Sequence, residues 1–329
     1  MGLRIRLVLC GLFMVLMMCC IGIQADQLQV DFYQKTCPQA ENIVREEVFK
    51  ALSKIIELAA GLVRMHFHDC FVRGCDGSVL IDSTPGNTAE KDSPINNPSL
   101  RGFEVIDSAK TRLEAQCKGV VSCADILAFA ARDSLAFTEM IIPYEVPAGR
   151  RDGRVSLSSE TFANLPGPNF NVSQLTQSFQ KQNLTQKDMV TLSGAHTIGR
   201  SHCGSFQNRL YNFNSTVSQD PSLDANYAAE LKSQCPQGST NTSLVVPMDP
   251  TSQNTVDSNY FKNILKNRGL FISDQTLISD TATAPLVRAN AVFGGIWKAK
   301  FYDAMVKMGR IGVLTGTDGE IRLNCRVIN

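Results

Sequence analysis

Within seven residues, Arg64-Met65-His66-Phe67-His68-Asp69-Cys70 places a permanent cation, two imidazoles and a carboxylate, in a chain with only four histidines. On a helix each residue advances about 100°, so Arg64 and His68 share a face while His66 points almost opposite to both. A neutral imidazole beside a guanidinium can take a proton from a small substrate and stabilise the anion left behind. The competing reading is a buried helix with incidental polar groups. Two metal centres fit poorly. A hydrolytic His-x-His-x-Asp-His site needs a histidine where Cys70 follows Asp69, and on a helix His66 and His68 diverge instead of meeting on one zinc ion.

Of the other histidines, His196 sits in Leu192-Ser193-Gly194-Ala195-His196-Thr197-Ile198-Gly199. It falls late in a predicted amphipathic helix, among small residues that would let a flat, bulky group approach. Taken alone it reads as structural. His202 falls on another face and also reads as structural.

The elements that must position these groups are mostly helical. Pro38 is expected at an N1 position before Val44, Val48, Leu52 and Ile55, a three-to-four spacing. Ser122-Cys123-Ala124-Asp125 resembles a capping box before Ile126, Leu127 and Phe129, and Thr185-Gln186-Lys187-Asp188 repeats it before Met189, Leu192 and His196. Asp257 is expected to cap a helix through Phe261 and Ile264 that stops at Gly269. Alternating strand patterns are scarce and short. The Pro-, Gly- and Arg-rich stretch 143–168 reads as a long connection between two helical halves, either a linker or the boundary of a pocket.

At the N-terminus, Arg4 and Arg6 precede an apolar run from Leu7 to Ile23, and Ala25 offers a small residue at a cleavage point. This reads as a cleaved secretory signal over residues 1–25, with cleavage after Ala25 or Asp26; no basic stop-transfer cluster follows. Its removal takes two arginines, leaving 30 basic against 31 acidic residues, so the mature net charge is about −1. A nucleic-acid surface would need a basic excess. Cys10, Cys19 and Cys20 leave with the signal. The eight that remain, Cys37, Cys70, Cys75, Cys117, Cys123, Cys203, Cys235 and Cys325, read as four disulfides of undetermined pairing, and none forms a Cys-x-x-Cys pair. Sequons at Asn171, Asn183, Asn214 and Asn241 suit a secreted glycoprotein.

The segment from Arg64 to Ser78 closely resembles the distal signature of secretory plant (class III) heme peroxidases, and Ser193 to Gly199 resembles their proximal heme-ligand signature. The eight mature cysteines follow the order of that family, and the likeness runs from about Gln27 to Asn329. The resemblance implies a mostly α heme peroxidase fold with few short strands. One heme b would lie between a distal half, about 26–150, and a proximal half, about 151–329, of a single domain over 26–329.

By the same resemblance His196 ligates heme iron and Asp274 accepts its other ring proton. His68 moves a proton between the two oxygens of hydrogen peroxide, Arg64 stabilises the charge that develops, and Asn96 holds His68 neutral. Phe67 packs beside the iron, and Pro166 borders the donor channel. Two calcium ions are implied. The distal set is Asp69, Asp76 and Ser78 side chains with Val72 and Gly74 carbonyls, supported by Glu90. The proximal set is Thr197, Asp249, Ser252, the Thr255 carbonyl and Asp257. The disulfides implied are Cys37–Cys117, Cys70–Cys75, Cys123–Cys325 and Cys203–Cys235.

Three places depart from the family pattern: Arg73 for Asn, Gly77 for Ala, and the run Thr138–Val146, where Gly-Gly-Pro and a Trp are usual but the chain's one Trp is Trp297. The first two are expected to be tolerated; the third leaves that loop's packing open. The function expected is a secreted, monomeric peroxidase of the apoplast or cell wall, with the vacuole less favoured. It would reduce hydrogen peroxide and oxidise phenolic donors in two one-electron steps, and would bind no nucleic acid and, after signal cleavage, no membrane. The alternative is a heme-binding but catalytically silent cell-wall protein. A third possibility is a calcium-stabilised, disulfide-rich binding protein without heme.

Overall fold

The computed structural model describes residues 28–140 and 143–329. The expected signal segment with its cleavage point and cysteines, and Ile141 and Ile142 of the atypical loop, lie outside those residues. The helices are α1 (Ala40–Leu52), α2 (Leu58–Val72), α3 (Phe103–Gln116) and α4 (Cys123–Glu139), then α5 (Ser158–Asn164), α6 (Val172–Lys181), α7 (Gln186–Ser193), α8 (Gln207–Leu210), α9 (Ala225–Gln234), α10 (Asn259–Leu265), α11 (Ile272–Gln275), α12 (Ala284–Val292) and α13 (Gly294–Met308). Two three-residue strands, β1 (Arg200–His202) and β2 (Val245–Pro247), pair antiparallel, with Ser201 opposite Val246. No helix among the described residues is long and apolar enough to cross a membrane.

Helix α1 buries Ile43, Val44, Val48 and Leu52 along one stripe. It starts two residues later than the sequence suggests, so Pro38 precedes its cap and Ile55 lies beyond its end, half-exposed. In α4 the Ser122 hydroxyl accepts the Asp125 N–H at 3.1 Å, as the capping signal predicts. Thr185 and Asp188 close a full capping box on α7. That helix ends at Ser193, however, and a 3₁₀ helix over Gly194–Thr197 follows, so His196 is not in the α-helix that periodicity suggested. Asp257 likewise stands outside α10; its carboxylate accepts the Asn259 N–H at 2.7 Å, and the helix stops at Leu265, short of Gly269.

Helix α2 is the centre of the molecule. Twelve of its fifteen residues are buried, as expected of a helix covered on every side. Leu58, Leu62 and Met65 join α1, α3 and α4 in one core. Val63, Cys70 and Phe71 join α6, α7, α10, α12 and α13 in the other. A helix shared by two cores is rigid, and it carries Arg64, His66, His68 and Asp69.

The stretch 143–168 is not a free linker. Arg151 and Asp152 bridge to Leu314 and Glu320 near the C-terminus, and Gly153 N–H donates to the Asp76 carbonyl at 2.8 Å. In the atypical loop Tyr144 stacks on Tyr302, centroids 5.0 Å apart. Trp297 lies fully buried in α13, and its indole N–H donates to the Thr191 carbonyl at 3.1 Å. A side chain on Gly194 would come within 2.4 Å of that indole. The flat group admitted by this small residue is therefore Trp297.

Among the described residues, four disulfides join Cys37 to Cys117, Cys70 to Cys75, Cys123 to Cys325, and Cys203 to Cys235. The short ring from Cys70 to Cys75 closes over the last turn of α2 and the residues just beyond it. Within it Gly74 has φ +98°, and a Cβ there would lie 2.5 Å from the Gly312 carbonyl oxygen. Gly74→Ala should destabilise the fold by about 2–4 kcal/mol through backbone strain and overpacking. Thermal unfolding measures this; an unchanged midpoint would contradict the close approach.

Candidate active site

Arg64 and His68 lie one helical turn apart on α2. The His68 Nδ1–H donates to Asn96 Oδ1 at 2.7 Å, and Asn96 Nδ2 donates to the Glu90 carbonyl at 2.7 Å. The second bond orients the amide, so its oxygen must face His68 and Nε2 is left as the free base. Burial, then the Arg64 charge, hold the His68 imidazole well below its ordinary range; the Asn96 bond opposes them without reversing the shift. Arg64 donates to Ser99 Oγ at 2.8 Å and to the Ile95 carbonyl at 3.3 Å, and burial with the Arg101 charge lowers it to about 10. It remains a cation at neutral pH.

His66 faces the other way. It is fully buried, its Nδ1 is 3.7 Å from the Cys70 sulfur, and burial together with Arg150 lowers it to about 3. It is a neutral packing residue, as its helical position predicted. Phe67 packs edge-on to His68 at 5.3 Å and against Phe71 at 4.5 Å, walling the base from the second core.

In the following 3₁₀ turn, His196 Nδ1–H donates to Asp274 Oδ1 at 2.7 Å. The same oxygen accepts the Tyr260 hydroxyl at 2.9 Å, and Asp274 Oδ2 accepts the Phe271 N–H at 2.8 Å. Asp274 is buried, whereas the His196 side chain is 37 % exposed. One ring nitrogen is thus anchored and the other is free, which fits an imidazole ligand to a bound metal. Gly199, three residues on, packs on α2: a Cβ there would sit 2.8 Å from the Ala60 methyl. This contact docks the proximal segment on the helix that carries His68. Pro166 lies in the connection from α5 to α6, and the Ser273 N–H donates to the Pro168 carbonyl at 2.9 Å, tying that connection to the Asp274 helix. His202 donates to the Thr242 carbonyl at 2.9 Å on an exposed edge, away from this chemistry.

Oxygen atoms crowd beside each histidine. On the distal side Asp69 Oδ2 accepts the Gly77 N–H at 3.0 Å and Asp76 Oδ1 accepts the Ser78 N–H at 3.0 Å. The Ser78 hydroxyl and both Glu90 carboxylate oxygens are buried without a hydrogen-bond partner. Burial, then the Asp76 charge, pushes Asp69 well up; burial also raises Asp76, and it takes Glu90 to about 8. Buried like charges with orphaned oxygens are a donor set suited to a hard cation. On the proximal side Thr197 Oγ1 contacts the Thr255 carbonyl at 3.2 Å and Asp257 Oδ1 at 3.4 Å, and Ser252 Oγ reaches Asp249 Oδ2 at 3.5 Å. Burial, with the nearby Asp257 charge, raises Asp249. Among the described residues no three His, Cys, Asp or Glu side chains converge as a metal site by themselves. A cation held at either set would need hydroxyl and backbone oxygens as well.

Sequence reasoning missed Ser99 as the partner of Arg64 and Tyr260 as a second donor to Asp274. No local pattern marks either, because each contact joins distant segments.

A disulfide-braced helical fold that sets an Arg–His pair on one segment and a carboxylate-anchored histidine on another defines a heme peroxidase. The comparisons agree. The family model described as Peroxidase matches residues 44–292. Peroxidase 5 of Vitis vinifera is 67 % identical over 96 % of both chains. Peroxidase 1 of Zea mays is 51 % identical, covering 92 % of this chain and 83 % of its own, and Peroxidase 3 of Arabidopsis thaliana is 51 % identical over 94 % of both. The chain belongs to the peroxidase family and is a class III plant peroxidase, an enzyme that uses hydrogen peroxide to oxidise a reducing donor, with heme implied as its cofactor. The catalytically silent reading is not favoured.

Proposed function

We propose that this enzyme is secreted to the apoplast or cell wall and works there as a monomer on small phenolic donors, with one heme b ligated by His196 and two calcium ions. The observation that carries the reading is the pair of anchored imidazoles, His68 on Asn96 and His196 on Asp274, each with one free nitrogen. Bound heme would supply the iron whose oxidation by peroxide and stepwise reduction carry the electrons.

The chain's own residues do the proton work. His68 Nε2 takes the proton from the nearer peroxide oxygen and returns it to the departing one, so water leaves. Arg64, held by Ser99 and Ile95, stabilises the negative charge on that departing oxygen. Asn96 keeps Nδ1 protonated, so the base is always Nε2. Asp274 strengthens the donor character of His196. Pro166 borders the approach of the phenol.

Distally, Asp69, Asp76, Ser78, Val72 and Gly74 would hold one calcium ion, with Glu90 supporting it. Proximally, Thr197, Asp249, Ser252, Thr255 and Asp257 would hold the other. The halves 26–150 and 151–329 act as one unit, since α2 is common to both cores.

The test uses purified protein from a secretory host. A Soret absorption band and peroxide-dependent oxidation of guaiacol are expected. A Soret band without guaiacol turnover would point to the silent alternative, and no Soret band would remove the heme reading.

A further inference from the structure

Asp274 Oδ1 accepts two hydrogen bonds, one from the proximal histidine and one from the Tyr260 hydroxyl. Tyr260 lies on α10, buried to 3 % exposure, with its ring edge-on to His196 at 6.0 Å and to Phe261 at 5.0 Å. Those rings and the α10 backbone leave its hydroxyl aimed at the carboxylate. With Phe271 N–H on the other oxygen, the carboxylate accepts three bonds in all.

We infer that Tyr260 is a positioning residue that sets how much electron density His196 delivers to the heme iron, by competing with the imidazole for Asp274 Oδ1. The inference rests on the reading of His196 as the heme ligand. A carboxylate with a single strong donor pulls hard on that proton and pushes the imidazole toward imidazolate. A second donor on the same oxygen spreads the negative charge and weakens that pull. Tyr260 therefore tempers the effect of Asp274. Its removal should leave a more anionic His196, which favours ferric over ferrous iron.

Tyr260→Phe keeps the ring and deletes only the donor. In the heme-loaded protein the ferric–ferrous midpoint potential should fall and the ferrous iron–histidine stretching band should move to higher wavenumber. Asp274→Asn should shift both in the opposite direction. In the double variant the effect of Tyr260→Phe should vanish, because the shared carboxylate is gone. Potential and stretch unchanged in Tyr260→Phe, while Asp274→Asn shifts them, would overturn the inference alone. If His196→Gly binds heme with an unaltered spectrum, the ligand reading itself has failed. Should the phenylalanine variant not fold, site-specific fluorotyrosine at 260, a stronger donor, must raise the potential; an unchanged value refutes the role.

Discussion

His68→Ala should retain the Soret band yet lose peroxide turnover by about 10²- to 10⁴-fold, the range supplied by a positioned general acid–base group. The loss should appear in the rate constant for the first reaction with peroxide, followed by stopped flow, and should carry through to kcat/KM for peroxide. The protein should still fold and bind heme, because His68 has a single side-chain partner among the described residues, Asn96, and α2 is held in both cores through its other residues. Arg64 would still stabilise the departing oxygen, so a residual rate above that of free heme should persist. The acid limb of the wild-type profile should lie below the ordinary histidine range, since burial and Arg64 both oppose protonation of His68. Retention of near-normal turnover by the alanine variant would remove His68 from the mechanism.

Stripping calcium should produce the second large effect. Asp69 follows His68 in sequence and Thr197 follows His196, so each oxygen set begins at the end of the segment that holds an imidazole. Verified removal with a chelator should lower activity and alter the heme spectrum; an unchanged spectrum would sink the coupling. Stability should respond with a definite sign. Glu90 titrates near 4.5 without the fold and at about 8 within it, so between these values the folded protein holds a proton that the unfolded chain has released. This group should therefore cost the calcium-free protein roughly 4–5 kcal/mol as pH rises through that window, offset in part below about pH 6.5 by His66 and His68, which burial keeps neutral in the fold. Bound calcium would replace that proton as the neutralising charge, and the slope should flatten when it is present. Thermal unfolding from about pH 6.5 to about pH 8, with and without calcium, reads both curves where the histidines no longer contribute. A calcium-free curve that rises with pH over that range would contradict the assignment.

How much of this was legible in the sequence differs from residue to residue. Helical spacing placed Arg64 and His68 together and turned His66 away, because an i, i+4 relation on a straight helix depends on nothing outside it. The caps at Ser122 and Thr185 were readable for the same reason. The helix expected to run through His196 was not, since its end at Ser193 depends on where Gly194 meets Trp297, a hundred residues later in the chain. Asp257 and Pro38 were misplaced by one or two positions, where local capping signals compete with the turns next to them. Asn96 and Asp274 entered only through family resemblance. A lone asparagine in a loop, or an acid near a helix start, carries no mark of the imidazole it will meet.

By itself the sequence determined which groups could do chemistry, the face of α2 they share, and eight cysteines beyond the expected signal. Those properties live in residue type and short-range periodicity. The tertiary structure alone decided that Trp297 fills the space beside Gly194, that Ser99 clamps Arg64, and that Tyr260 shares the carboxylate of His196. These contacts span from 14 to more than 100 residues, and only packing two cores around α2 brings them within bonding distance. The same packing forces oxygens without partners together beside each histidine, and no pattern along the chain records that crowding.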